Sequence, residues 1–294
     1  PMAVAVVAKR KREHELRRAI DSGELRLVYQ PTVNLVTGAV IGFEALVRWE
    51  DPDQGWLEPA SFIQLAEDSG LIWSLGRWVL AEACRQAEVW RQLCPETTPL
   101  VMGVNLSARQ FRPAIVREIV AALAATGMAP DRLELEFNER GVVDYAATSI
   151  QINALRELGV RIAIDDFGTG YSALSYLRRL VVDTIKIDRG FVLGLEGDAA
   201  SQAIVRAVTA LAHELGIAVT AEGIETQAQL DQLRQLGVDR GQGFFLSRPV
   251  PGDLITQSFA LRVQAPANAR PPLTLSNFDL ATDPQALEEQ PLVR

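Results

Sequence analysis

The stretch 161-RIAIDDFGTG-170 runs from apolar residues, typical of a buried strand, directly into two adjacent aspartates and a glycine-rich turn. Burying an unpaired carboxylate is costly, so Asp165 and Asp166 need partners of opposite charge. Neighbouring residues on a regular strand point to opposite faces, so both reach one site only if the backbone leaves strand geometry. Gly168 and Gly170 permit such a turn. The stretch therefore predicts a buried strand that ends in a paired-carboxylate site.

Strand and helix patterns alternate on both sides of this stretch. Predicted strands cover 26–35, 40–49, 100–106, 132–137, 161–165, 183–188, 217–223 and 241–246. Predicted helices, with apolar residues at helical spacing, cover 10–22, 59–68, 75–93, 113–126, 147–158, 172–179, 199–215 and 226–236. Strand–helix–strand units of this kind give parallel strands joined by right-handed crossovers.

Eight strands in this alternation predict an α/β fold, a modified TIM (β/α)8 barrel. The first two predicted strands flank a short hairpin connection at 36–39, so we expect an antiparallel first strand. An open doubly wound sheet is the alternative, but it normally carries a glycine-rich phosphate turn after its first strand, which this sequence lacks. The predicted division is a connecting helix from a longer chain over 1–23, the barrel over 24–258 and a loosely ordered tail over 259–294.

The composition restricts the classes of function. With 294 residues and a formal net charge of −8, the chain is not expected to bind nucleic acid. It contains no run of about 18 apolar residues, so we expect no membrane contact. Two cysteines without a CxxC motif favour reduced thiols and a cytoplasmic location. The two histidines, His14 and His213, lie in helical patterns, which disfavours zinc and histidine-dependent nucleophilic catalysis.

Polar side chains stand near the ends of most predicted strands. In a barrel of this type the carboxyl ends of the strands meet at one mouth, where the chemistry lies. Each such side chain alone is typical of a helix cap or a solvated strand end, but seven strands ending this way indicate a site. Its predicted members are Glu44, Asn105, Glu136, Asp165, Asp166, Lys186, Glu222 and Gln242.

Five carboxylates in one pocket repel each other unless cations lie among them. Oxygen ligands select a hard ion, namely Mg2+, Mn2+ or Ca2+. Two divalent ions about 3.5–4 Å apart are the usual device for hydrolysing a phosphodiester. Lys186 is the only lysine in the chain besides Lys9 and Lys11, and its compact ammonium group suits orienting a water or neutralising charge.

Eight blocks of this sequence resemble those of one protein family. They stand in order over residues 24–252 and read 29-YQP, 44-EAL, 104-VNLSARQF, 134-ELEFNE, 165-DDFGTGYSALSYL, 184-TIKIDR, 221-AEGIET and 242-QGFFLSRP. The family is that of the EAL-domain phosphodiesterases, which act on cyclic di-GMP in bacteria. The resemblance implies a modified TIM barrel that hydrolyses one phosphodiester bond of cyclic di-GMP to linear pGpG. It also implies Mg2+ or Mn2+ as cofactor and inhibition by Ca2+.

Carried over residue by residue, the resemblance implies two metal sites that share one aspartate. The ligands of the first ion would be Glu44, Asn105, Glu136 and Asp165. The ligands of the second ion would be Asp165, Asp166 and Glu222. Lys186 would orient the attacking water, Glu222 is also a possible base, and Gln242 would help to fix the water and the metal site.

The resemblance further implies contacts with substrate and with other domains. Arg48 would contact a substrate phosphate, and Gln30 and Leu46 would complete the substrate site. Glu139 and Thr169 would anchor the loop after the paired aspartates, which in the family links the active site to a dimer interface. A homodimer and an upstream GGDEF or sensor domain in the full-length chain are therefore expected.

One block departs from the family pattern. Active members commonly carry Thr-Glu-Ser where this chain has 138-NER-140, so Arg140 replaces a small hydroxyl residue beside the loop anchor. The metal ligands are unaffected, but the departure keeps a second function open, that of a cyclic di-GMP receptor with weak or absent turnover. A metal-dependent barrel enzyme of unrelated chemistry, such as an enolase-type or aldol-type lyase, is the remaining alternative.

Overall fold

The computed structural model describes residues 2–93, 100–138, 145–168, 181–264 and 273–275. Its strands are β1 Leu25–Asn34, β2 Val40–Asp51, β3 Gly55–Leu57, β4 Val101–Asn105, β5 Leu133–Asn138, β6 Arg161–Phe167, β7 Thr184–Ile187, β8 Ala218–Ala221, β9 Arg240–Gly241 and β10 Val250–Pro251. Its helices are α1 Met2–Ser22, α2 Ile63–Ser69, α3 Ile72–Leu93, α4 Ala114–Thr126, α5 Tyr145–Glu157, α6 Arg189–Gly194, α7 Ala199–Glu214, α8 Gln227–Gln235 and α9 Gly252–Gln264. The helix predicted over 172–179 lies outside the described residues.

Eight of the described strands close into a barrel, in the order β1, β9, β8, β7, β6, β5, β4, β2 and back to β1. β1 runs antiparallel to both of its barrel neighbours, β2 and β9. The other neighbouring strands of the ring are parallel. The predicted α/β barrel with an antiparallel first strand is therefore confirmed. β3 and β10 extend the sheet outside the ring by pairing with β2 and β1.

The last barrel strand is shorter than the sequence predicts. The predicted strand over 241–246 is wrong beyond Gly241, because the chain turns there and packs on the segment after β8. The backbone N–H of Phe245 donates to the carbonyl of Ile224 at 2.9 Å. At Gly243 a Cβ would lie 2.1 Å from the Ile224 nitrogen, so only glycine allows this close approach. This turn places residues 242–248 at the mouth of the barrel.

The carboxyl-terminal helix belongs to the core of the barrel domain. Phe259 of α9 is fully buried, with its ring centroid 6.4 Å from Phe43 of β2 and 6.0 Å from Trp90 of α3. Trp90 in turn packs against Tyr29 of β1 at 4.8 Å. The predicted domain boundary at residue 258 therefore falls inside a helix, because Phe259 completes an aromatic cluster beneath the first hairpin.

The amino-terminal helix α1 packs on the barrel beside the end of β2. Leu16 and Ala19 are fully buried. Arg12 lies over the ring of Trp49, 4.2 Å from its centroid, and its Nη1 donates to Asp51 Oδ2 at 2.5 Å. Although α1 has 21 residues, neither it nor any other helix in the described ranges is both long and apolar enough to cross a membrane.

Candidate active site

The residues that the sequence analysis selected at the strand ends lie together at the carboxyl end of the barrel. Glu44, Glu136 and Lys186 lie within β2, β5 and β7 and are buried. Asn105 ends β4 and pairs with Glu136 in the neighbouring strand. The remaining members are Asp165 and Asp166, which lie near the end of β6, and Glu222 and Gln242, which directly follow β8 and β9.

Lys186 is the centre of this cluster. Its Nζ lies 2.6 Å from Glu222 Oε1, 3.3 Å from Glu44 Oε2 and 3.6 Å from Asp165 Oδ1, and it also donates to Glu136 Oε2. The side chain is 3% exposed. Burial alone lowers the pKa of a lysine, but these four carboxylates outweigh it and raise the pKa of Lys186 well above its usual value. The four carboxylates therefore favour the charged form of Lys186.

Two amide side chains hold the carboxylate of Glu44. Asn105 Nδ2 donates to Glu44 Oε1 and Gln242 Nε2 donates to Glu44 Oε2, each at 2.6 Å. Burial raises the pKa of Glu44, but Lys186 and the two amides more than offset it, so the pKa is lowered and the group is ionised. Gln242 Nε2 also donates to Glu222 Oε1 at 3.2 Å and so connects two carboxylates of the site.

Gly103 makes room for Glu136 inside the barrel. A Cβ at Gly103 would lie 2.1 Å from Glu136 Oε1, so no other residue fits on this part of β4 without displacing the carboxylate. Burial and the nearby charge of Glu44 raise the pKa of Glu136 well above its usual range. Gly103 is not among the predicted site residues, although a glycine in the middle of 100-LVMGVNL is itself a signal of close approach.

The backbone leaves strand geometry at the paired aspartates, as predicted. Asp166 has φ +53° and is the only residue other than glycine with positive φ in the described part of the chain. Its N–H donates to Asp165 Oδ1 at 2.9 Å. The pairing of β6 with β7 is interrupted between Ile164 and Phe167. This irregularity brings both carboxylates to the same side of the barrel mouth.

Three carboxylates at this position fit a divalent cation. Oxygen atoms of Asp165, Asp166 and Glu222 lie within 4.8 Å of one another. Burial, followed by the charges of Asp165 and Asp188, raises the pKa of Asp166 to about 6. Burial raises the pKa of Glu222 to about 8. The ammonium group of Lys186 lowers this pKa, but the negative charges of Asp165 and Glu44 oppose that effect. Such mutual repulsion is what a hard cation relieves, and the all-oxygen donor set suits Mg2+, Mn2+ or Ca2+.

The predicted substrate residues occupy the first two strands. Arg48 of β2 is half-buried, and its Nη1 donates to the carbonyl of Val47 at 2.9 Å. Burial lowers the pKa of its guanidinium, although Glu58 and Glu44 oppose the shift. Leu46 is also half-buried. The amide of Gln30 is buried and donates to the carbonyl of Ser247 at 3.1 Å, so Gln30 holds the turn after β9.

The predicted loop anchors Glu139 and Thr169 lie outside the described residues, as does Arg140. Asn138, the described member of the divergent block, ends β5 and donates from Nδ2 to Asp166 Oδ2. This contact is missed by reasoning from the sequence. Asp166 accepts this bond in a positive-φ conformation, which a strand pattern does not reveal.

The comparisons with known proteins agree on one family. The EAL domain model matches residues 13–249. MucR of Pseudomonas aeruginosa, a bifunctional diguanylate cyclase/cyclic di-GMP phosphodiesterase, is 44% identical over 249 residues, which cover 84% of this chain and 36% of MucR. The PaMucR phosphodiesterase in complex with c-di-GMP superposes with a TM-score of 0.79 at 43% identity, covering 83% of this chain and 99% of that one.

A second solved structure is similar over the same region. The EAL enzyme Bd1971 in its cAMP- and cyclic-di-GMP-bound form has a TM-score of 0.83 at 32% identity, covering 87% of this chain and 70% of that one. The chain spans about a third of the length of the curated relatives it matches.

Proposed function

The chain belongs to the EAL domain family, and we propose that it is a metal-dependent phosphodiesterase that hydrolyses cyclic di-GMP to linear pGpG. The observation that carries this proposal is the convergence of five carboxylates, two amides and one buried lysine at the barrel mouth. The name of MucR and the c-di-GMP complexes of PaMucR and Bd1971 support the choice of substrate.

The carboxylates would hold two divalent ions, Mg2+ or Mn2+. One ion would be bound by Glu44, Asn105, Glu136 and Asp165. The other would be bound by Asp165, Asp166 and Glu222, whose oxygen atoms already lie within 4.8 Å of one another. When bound, the ions would offset the charge of the phosphate oxygens and lower the pKa of the attacking water.

In the proposed reaction the oxygen of a water forms a bond to phosphorus while a ribose oxygen leaves. Lys186 would donate a hydrogen bond that orients this water, since its ammonium group is fixed among four carboxylates. Glu222, 2.6 Å from Lys186, would accept the proton of the water. Gln242 would hold the Glu222 carboxylate in place through its hydrogen bond at 3.2 Å. The leaving ribose oxygen would take up a proton from solvent and become the free hydroxyl of pGpG, and Glu222 would later release the proton it accepted to solvent.

Substrate binding would use the residues of the first hairpin. Arg48 would bind one phosphate, because the negatively charged dinucleotide must be attracted to a chain of net charge −8 by local positive charge. Leu46 and Gln30 would line the site, with Gln30 acting through the turn it holds at Ser247. Glu139 and Thr169 would anchor the loop after the paired aspartates.

We also propose that the chain works as the output module of a longer cytoplasmic protein. The chain spans only about a third of the length of its curated relatives, which supports an upstream GGDEF or sensor domain in the full-length protein. The packing of α1 on the barrel through Leu16 and Ala19 gives such a domain a direct connection to the barrel. A homodimer through the face near the loop after Asp166 completes this proposal, and sedimentation at high protein concentration tests it.

The decisive experiment is to incubate the protein with cyclic di-GMP and Mg2+ or Mn2+ and to follow pGpG by chromatography. Wild type is expected to form pGpG, and Asp165→Asn is expected to abolish it because Asp165 is the ligand shared by both ions. Ca2+ in place of Mn2+ is expected to inhibit. A dinucleotide that binds but stays intact with both metals would contradict the enzymatic proposal.

One contact favours a second candidate function, that of a receptor with weak turnover. Asn138 donates to Asp166 and thereby occupies an oxygen of a proposed metal ligand. Binding with little or no cleavage in the same assay would support the receptor, and complete conversion of bound dinucleotide to pGpG by wild type would exclude it.

A further inference from the structure

The segment that follows β4 begins at a proposed metal ligand. Asn105 is the last residue of β4, and it is exposed at the barrel mouth. A crevice whose lining includes Gly76, Asn105, Leu106 and Gln110 lies beside this segment. Packing therefore leaves Asn105 room to shift, and its position depends on what holds the backbone directly after it.

A carboxylate of helix α2 holds that backbone through a serine. Ser107 Oγ donates to Glu67 Oε1 at 2.6 Å and accepts from the backbone N–H of Arg109 at 3.3 Å. A hydroxyl has one proton, and here the carboxylate takes it. Because hydrogen bonds to a carboxylate are stronger than bonds between neutral groups, Glu67 fixes Ser107 more firmly than a neutral acceptor would.

The same residue of α2 also holds Arg109. Arg109 Nη1 donates to the backbone carbonyl of Glu67 at 2.9 Å, and Arg109 Nε lies 3.9 Å from Glu67 Oε2. Glu67 thus contacts the segment at two points, two and four residues beyond Asn105. The backbone N–H of Leu106 donates to the carbonyl of Glu136 at 2.7 Å. The segment is therefore tied both to strand β5 and to helix α2.

We propose that Glu67 is a positioning residue for the metal site, because it fixes the backbone that carries Asn105. This inference rests on the proposed function, which makes Asn105 a ligand of the first ion. Asn105 Nδ2 donates to Glu44 Oε1 at 2.6 Å, which leaves the amide oxygen as the atom of Asn105 that can bind a cation. A shift of this backbone would disturb the bond to Glu44 and move the amide oxygen.

The test measures Mn2+ binding instead of turnover. Glu67→Ala and Ser107→Ala each remove one partner of the hydrogen bond, whereas Ser107→Thr keeps the hydroxyl. Ser201→Ala is the matched control, because Ser201 Oγ donates to Asp198 Oδ2 also at 2.6 Å, but on α7, which carries none of the proposed site residues. Titration with Mn2+, followed by electron paramagnetic resonance of the free ion, gives the affinity for each ion.

We expect Glu67→Ala and Ser107→Ala each to weaken the binding of one ion about tenfold, the lower end of the loss when a partner that orients a metal ligand is removed. The double variant should lose no more than Glu67→Ala alone, since both changes remove the same bond. Ser107→Thr and Ser201→Ala should bind Mn2+ as wild type does. If Glu67→Ala does not fold, Ser107→Ala carries the test, since it removes a single hydroxyl.

The serine variant also separates positioning from a loss of negative charge. Ser107→Ala leaves the net charge unchanged, so charge alone cannot explain a weaker binding of Mn2+. Unchanged binding by Ser107→Ala overturns the proposal even if Glu67→Ala binds less.

A second comparison shows whether the effect passes through Asn105. In an Asn105→Ala background, Glu67→Ala should change the affinity for Mn2+ less than about twofold, because the ligand that it positions is already gone. A further tenfold loss in this background overturns the proposal.

A metal-free measurement distinguishes failure of this inference from failure of the proposed function. The side-chain amide of Asn105 gives an NMR resonance that is identified by its absence from Asn105→Ala. This resonance should move in Glu67→Ala and Ser107→Ala, because the bond to Glu44 is disturbed, and it should stay in place in Ser201→Ala. If wild type binds no Mn2+, the proposed function fails, and the resonance still tests the positioning of Asn105. A resonance that stays unchanged in both variants overturns the inference.

Discussion

The ammonium nitrogen of Lys186 lies 2.6 Å from Oε1 of Glu222, so a cation and the proposed proton acceptor are in direct contact inside the barrel. The same nitrogen contacts Glu44, Glu136 and Asp165. A single positive charge thus partly balances a group of carboxylates that would otherwise repel each other at close range. Lys186 has a structural role in the metal-free protein as well as the proposed role towards water.

Lys186→Met should reduce both turnover and stability. We expect the kcat for cyclic di-GMP to fall at least ~100-fold, because the water loses its orienting donor. The metal-free protein should lose about 3–5 kcal/mol of unfolding free energy, the cost of leaving buried charges without a partner. Steady-state kinetics with Mn2+ and urea unfolding in EDTA measure the two effects.

Lys9→Met is the matched control, since Lys9 forms an ion pair with Asp68 at 3.0 Å but is about half exposed. An exposed pair contributes little, so this variant should resemble wild type in both measurements. A Lys186→Met protein that is destabilised yet turns over at the normal rate would limit Lys186 to charge balance.

Gly103→Ala should damage the site with little effect on the rest of the fold. The added Cβ would lie 2.1 Å from Glu136 Oε1, so the carboxylate must move. A displacement of this size in a catalytic group costs up to ~100-fold in turnover, and overpacking costs about 1–3 kcal/mol of stability. Gly197→Ala is the control, because a Cβ there meets no atom within 4 Å. Equal kinetics in the two variants would contradict the assigned role of Glu136.

The sequence predicts most of the site because its residues follow a simple rule of position. Strand ends in a parallel barrel meet at one mouth, so Glu44, Asn105 and Glu136 could be grouped without coordinates. The antiparallel first strand follows equally from a short hairpin at 36–39. These are local patterns of strand, turn and charge.

What the sequence does not predict depends on contacts between distant segments. The strand pattern of 241–246 is apolar, but the turn there is fixed by the close approach of Gly243 to Ile224. The helix that contains Phe259 continues past the predicted boundary at residue 258, and the burial of Phe259 against Trp90 is a tertiary effect that the local pattern does not reveal. Asn138 could not be assigned to Asp166, since the two residues lie on different strands and Asp166 has a positive φ angle that a strand pattern does not predict.

Asp166→Asn should change stability in opposite directions with and without metal. Burial and the negative charges of Asp165 and Asp188 raise the pKa of Asp166 to about 6. Above that pH the folded protein must hold an ionised Asp166 in an unfavourable place, which lowers its free energy of unfolding. In EDTA at neutral pH the variant should gain on the order of 1–2 kcal/mol, an advantage that shrinks as the pH falls through 6 and Asp166 takes up a proton. Asparagine also tolerates φ +53°.

With Mn2+ the same variant should lose most of the metal-dependent rise in melting temperature that wild type shows, because one carboxylate ligand is gone. Thermal unfolding with EDTA and with Mn2+, at several pH values, measures both effects. A variant that Mn2+ stabilises as strongly as wild type would remove Asp166 from the proposed ligands.

Asn138→Thr should strengthen metal binding. The amide of Asn138 donates to Asp166 Oδ2, so a cation that uses this oxygen must displace a hydrogen bond. Such a bond is worth about 1 kcal/mol net, which corresponds to a roughly fivefold lower Mn2+ concentration for half-maximal activity in the variant. Asn138→Ala should show the same shift, which separates removal of the amide from gain of a hydroxyl. An unchanged Mn2+ requirement in both variants would show that the amide does not compete with the cation, and Arg140 would then be the position in the divergent block to restore.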